Sequence, residues 1–167
     1  MLTSSMLTHK QIKFRDGFLS PFKQRIYYLK SLPMGLISGI RLVHLDEEKS
    51  VSEVPFRWCN KNPFSSMYFA VQSMAAELST AAPVMMALKG SDADVALIIV
   101  DLKVEFVKKA QSKITFTCVD YGKIYSAITQ LKQTGDTAAV TAKTIGRDVD
   151  GNEVATFYFT WSFKRRS

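Results

Sequence analysis

Between Lys61 and Lys89 the chain carries one charged side chain, Glu77, inside the run NPFSSMYFAVQSMAAELSTAAPVMMAL. A carboxylate in the middle of an apolar helix is costly to bury. A chain that keeps one there either pairs it with a cation or uses it as a general base or nucleophile. Ser66, Ala70, Ser73, Glu77 and Thr80 recur at steps of three or four, so they share one stripe of a helix. On that stripe Ser73 and Thr80 can hydrogen-bond the Glu77 carboxylate or its water, or else satisfy backbone carbonyls. Asn62 is a candidate helix cap that can also orient a water or a carbonyl.

The elements that position these residues follow from periodicity. Ser20-Pro21 opens a helix in which Phe22, Ile26 and Leu29 recur at helical spacing, and Pro33 breaks it. Strands are expected over 40–45 and 51–58. The long helix starts after Asn62-Pro63, or after Ser65, and should end near Pro83, with 84–88 extended. Further strands are expected over 95–107, 113–120, 137–148 and 153–164, with a short helix over 121–132. Asp150-Gly151 is a hairpin signal between the last two strands. In the final strand Phe157, Phe159, Trp161 and Phe163 alternate onto one face. One apolar helix among about six mostly antiparallel strands describes an α+β fold, because the sheet must bury one face and the helix is its natural cover.

Length and charge narrow the field. At 167 residues a single domain is expected. We assign residues 1–19 to a flexible N-terminal segment and 20–167 to the domain. The net charge is +7. It comes from the ends: Lys10, Lys13, Arg15, Lys23, Arg25 and Lys30 face only Asp16 within the first thirty residues, and Lys164, Arg165 and Arg166 close the chain. The body between is nearly neutral, without the basic stripe and interleaved aromatics of a nucleic-acid binder. Basic ends suit solubility or a ligand with phosphates. Cys59 and Cys118 give no disulfide framework and, with His9 and His44 dispersed, no metal cluster. The run 67–88 holds Gln72, Ser73, Glu77, Ser79, Thr80 and Pro83, which argues for a protein core rather than a membrane span. A cytoplasmic location is expected, and no cofactor.

The stretch VPFRWCNKNPFSSMYFAVQSMAAELST over 54–80 closely resembles a family of hotdog-fold proteins first catalogued as a domain of unknown function, whose members look like acyl-CoA thioesterases. VEFVKKAQSKITFTC over 104–118 resembles the hotdog pattern after the central helix. The resemblance spans roughly 20–165. Thioesterases of the phenylacetyl-CoA type carry an Asn, a His-Gly-Gly six residues on, and an acid nine after the His. Asn62, Tyr68-Phe69-Ala70 and Glu77 fall at that spacing, with Tyr in place of His and Phe-Ala in place of the Gly pair.

The resemblance implies a hotdog sheet of about six strands wrapped around one long helix. It also implies a homodimer, or a tetramer, with sites at the dimer interface, where Asn62 of one subunit works with Glu77 of the other. Glu77 would attack the thioester or activate a water. The backbone N–H groups of Phe69 and Ala70 would hold the oxyanion, with Tyr68, Ser73 and Thr80 in support. Lys108, Lys109 and Lys113, at a strand end and its turn, are candidates for coenzyme A phosphates. The alternative reading is a non-catalytic acyl-CoA or fatty-acyl binding protein on the same fold.

Overall fold

In the computed structural model, which describes residues 7–167, twelve elements follow one another. Helices α1 (His9–Leu19), α2 (Pro21–Ser31) and α3 (Pro33–Ser38) lead into strands β1 (Arg41–Leu45) and β2 (Ser50–Val54). After a single 3-10 turn at Trp58–Asn60 comes the long helix α4 (Phe69–Lys89). Then follow β3 (Val95–Phe106), β4 (Ile114–Cys118), helix α5 (Tyr121–Thr129), β5 (Thr137–Arg147) and β6 (Glu153–Arg165).

The six strands form one sheet in the order β1-β2-β4-β5-β6-β3, antiparallel at every pairing. Helix α4 lies against that sheet, touching β1, β2, β4, β5 and β6. Its inward face is rich in alanine, and Ala75, Ala76, Ala82 and Ala87 are fully buried. Small side chains let the helix axis approach the sheet, whose answering face carries Phe116, Phe157, Phe159, Trp161 and Phe163. The aromatic alternation of the last strand is therefore the floor of the core.

Side-chain hydrogen bonds pin the helix to three strands. Ser52 Oγ of β2 donates to the Ala75 carbonyl at 2.6 Å. Ser79 and Thr144 of β5 share a buried hydroxyl contact at 2.8 Å. Trp161 Nε1 of β6 donates to Thr80 Oγ1 at 3.2 Å. Gly146 is required in β5, because a Cβ there would stand 2.5 Å from the Phe116 ring.

Several boundaries depart from the sequence expectation. Residues 9–19, assigned from sequence to the N-terminal segment, form α1, which is capped by Thr8 and buries Phe18; residues 1–6 lie outside the described residues. The strand expected over 51–58 stops at Val54, ahead of Pro55. Helix α4 starts at Phe69, because Asn62 Oδ1 accepts from the Phe64 and Ser66 N–H groups and folds 62–66 into a turn with Ser65 at φ 58°. It also runs through Pro83 to Lys89. An interior proline costs about 3 kcal/mol, yet Pro83, Val84, Met86 and Ala87 are all buried, and burying side chains of that size repays a comparable amount.

Candidate functional site

Glu77 shares a stripe of α4 with Ala70, Ser73, Met74, Ala81 and Met85, all of them half-buried. It opens into a cleft of about 390 Å³ whose other walls include Phe18 of α1, Tyr27 of α2, Leu97, Ile98 and Ile99 of β3, and Trp161. The surroundings are mostly apolar, with Tyr27 and Ser31 the neutral polar side chains at the wall. No cation or donor reaches the carboxylate among the described residues. Burial alone pushes its pKa above the ordinary glutamate value. A half-desolvated carboxylate without a partner suits proton abstraction or nucleophilic attack better than structural pairing.

Of the two roles that the sequence leaves open to the supporting hydroxyls, they take the second and satisfy backbone carbonyls. Thr80 Oγ1 donates to the Glu77 backbone carbonyl at 3.0 Å and accepts from Trp161. Ser73 Oγ donates to the Phe69 carbonyl at 2.9 Å. Neither bonds the carboxylate, because a serine or threonine inside a helix finds the carbonyl three or four residues back first.

The remaining candidates gather at the N-terminus of α4. Asn62, Tyr68, Phe69, Lys108 and Lys109 line a second cleft of about 750 Å³, walled also by Phe106 and Val107. Asn62 is held by its Oδ1 contacts, which leave the Nδ2 donors without an acceptor among the described residues. Tyr68 is the N-cap residue and half-exposed. The Phe69 and Ala70 N–H groups belong to the first turn, where no intrahelical acceptor exists, and the positive end of the helix dipole adds to their pull on an anion.

The three lysines separate. Lys108 Nζ is paired with Asp148 at 2.6 Å, and Lys113 Nζ with Glu53 at 2.8 Å, away from the cleft. Lys109 has no acidic partner among the described residues, and its Nζ lies 3.4 Å from the Phe64 carbonyl. Lys113 therefore falls outside the assembly expected from sequence.

Gln72 was not singled out from sequence. It is buried, lines the same cleft, and donates Nε2 to the Met67 carbonyl while its Oε1 has no partner. A polar amide within an apolar helix was the available signal.

One protomer does not bring Asn62 and Glu77 into one cleft. Glu77 lies nine positions along from Tyr68, the N-cap of α4, a rise of about 13 Å.

No protein-family model matches the sequence, and no curated protein matches it. Solved structures do. A Pseudomonas aeruginosa protein of unknown function described as a probable thioesterase superposes with TM-score 0.70 at 19% identity, over 90% of this chain and 99% of its own. A second P. aeruginosa thioesterase, solved as a mutant, gives TM-score 0.63 at 17% identity, over 86% and 93%. A Haemophilus influenzae thioesterase gives 0.61 at 13%, over 84% and 88%. The antiparallel six-stranded sheet around one long helix is the hotdog fold, and these thioesterase-named structures share it with this chain.

Proposed function

We propose that this protein hydrolyses an acyl-CoA thioester in the cytoplasm, at a site completed by a second copy of the chain, with Glu77 as base or nucleophile. The observation that carries the reading is Glu77 itself: a half-buried carboxylate, unpaired among the described residues, in an apolar cleft. The neighbouring folds support it. In a Staphylococcus aureus thioesterase of this fold, the residues chosen for substitution are a glutamine and a glutamate fifteen positions apart, the spacing of Asn62 and Glu77.

A second copy supplies what one protomer lacks. Strand β3 is a twelve-residue sheet edge that exposes Leu97, Ile98, Val100 and Leu102. A long apolar edge is a template for pairing with another strand. Pairing β3 with its mate buries the edge and faces the Glu77 cleft of one subunit toward the α4 N-terminus of the other.

The chemistry then balances. Glu77 takes a proton from water, and the resulting hydroxide adds to the thioester carbonyl carbon. The Phe69 and Ala70 N–H groups hold the oxyanion, and Asn62 Nδ2 orients the carbonyl or the water. Collapse breaks the C–S bond, and the leaving thiolate recovers the proton from Glu77. Direct attack by Glu77 gives the same products through an anhydride that water opens.

The test is hydrolysis of acyl-CoAs from acetyl to palmitoyl by the parent and Glu77→Gln proteins. The variant should lose at least about 10²-fold in kcat/KM with its oligomeric state intact. Unchanged turnover would remove Glu77 from the chemistry. A specific observation favours a second reading, a non-catalytic acyl-CoA binder. Tyr68 and Phe69 place two bulky rings, 5.0 Å apart, beside the donors a substrate oxygen must reach. Binding without turnover in the same assay would select it.

A further inference from the structure

Away from the Glu77 cleft, a cavity of about 370 Å³ is lined by Arg25, Arg41 and Arg57, with Tyr28 and Gly39 in its wall and no acidic side chain. All three arginines are exposed at the rim of this surface pocket, and like charges gathered there favour an anion between them. Arg41 has Glu53 at 3.7 Å, the outer limit of an ion pair. Arg25 and Arg57 have no acidic partner among the described residues. No Asp or Glu occurs between Asp16 and Asp46, and Glu53, the acid that reaches Arg41, is held more closely by Lys113 at 2.8 Å.

The backbone is arranged to the same end. Pro21 in the cavity wall opens α2, and no side chain caps that helix end, so the positive end of its dipole lies at the cavity. Gly39 has φ 72°, and a Cβ there would stand 2.8 Å from Arg57 Nη1. Glycine at this position lets the guanidinium lie against the main chain. The polar side chains of the wall are three guanidiniums, which only donate, and the Tyr28 hydroxyl, which is buried and unpartnered.

We propose that this cavity binds a phosphate group. Planar guanidinium forks match phosphate oxygens two at a time, and a dianion offsets the repulsion among the three arginines. The phosphate has three possible carriers: inorganic phosphate, the 3′-phosphate of coenzyme A, or a phospholipid headgroup. The last draws on exposed Phe22 and Leu29 of α2 and Ile37 of α3. The site stands whether or not Glu77 hydrolyses a thioester.

The experiment is calorimetric titration of the full chain at physiological ionic strength. The probes are sodium phosphate against sodium chloride at equal ionic strength, coenzyme A against dephospho-coenzyme A, and phosphatidylglycerol-containing vesicles against phosphatidylcholine vesicles. At least one phosphate-bearing probe should bind saturably. Arg25→Gln and Arg57→Gln should each weaken it at least about tenfold, with the melting temperature of the free protein unchanged or raised. Arg57→Lys should recover only part of the loss, since it keeps the charge and not the fork. A preference for coenzyme A over its dephospho form assigns the nucleotide phosphate. Arginine-dependent binding of the anionic vesicles alone assigns the headgroup. Phosphate acting no differently from chloride, with no coenzyme A or vesicle binding, would overturn the proposal. So would glutamine variants that bind every probe as tightly as the parent.

Discussion

The indole N–H of Trp161 donates to Thr80 Oγ1 at 3.2 Å, and that hydroxyl in turn donates to the backbone carbonyl of Glu77 at 3.0 Å. Both side chains are buried. This relay joins the last strand of the sheet to the turn of α4 that presents the carboxylate, so the sheet sets the height of Glu77 in its cleft.

Thr80→Val keeps the shape and removes the acceptor, which leaves a buried indole donor unpaired. The expected cost is about 1–3 kcal/mol. Thr80→Ser keeps the bond and should cost clearly less. Denaturant melts of the three proteins decide it, and equal midpoints for Val and Ser would mean that the relay contributes nothing.

Glu77 has a native pKa raised by burial, so the folded protein holds this proton more tightly than the unfolded chain does. Stability from this group is present below the unfolded value, about 4.5, and is lost as pH rises through the raised native value. Glu77→Gln should therefore be at least as stable as the parent near neutrality, and the difference should shrink as the medium is acidified. Unfolding midpoints from about pH 4 to about pH 8 test the sign. The same shift predicts that kcat/KM rises with pH along a limb centred above the ordinary glutamate range, since the base acts ionised.

Ile98→Lys places a charge on the exposed edge β3, where natural sheets use lysine to block pairing. Sedimentation should show the parent associated and the variant monomeric, and hydrolysis should fall with association. A variant that stays associated would move the interface away from β3.

Gly146→Ala forces a methyl group toward the Phe116 ring. Overpacking of this kind costs about 1–3 kcal/mol. Melting should detect it while turnover per folded molecule stays near the parent value. An unshifted melt would mean that Phe116 yields without cost.

By itself the sequence determined the periodic elements and the residue that could do chemistry. Alternation in β6, the Asp150-Gly151 turn, the Pro21 helix start and the solitary Glu77 all rest on local rules, which hold wherever the chain goes. Tertiary structure decided the rest. Pro83 carries a local penalty that only burial of Val84, Met86 and Ala87 outweighs. Asn62 reads as a cap for a helix that begins seven residues later, because its oxygen is taken by the turn before it. Thr80 shares a stripe with Glu77, yet its hydroxyl is committed to a backbone carbonyl and an indole from a strand eighty-one residues away. The gathering of Arg25, Arg41 and Arg57 around one cavity depends on how α2, β1 and the chain after β2 meet. No spacing rule reaches across such distances, because those contacts are set by which faces bury together.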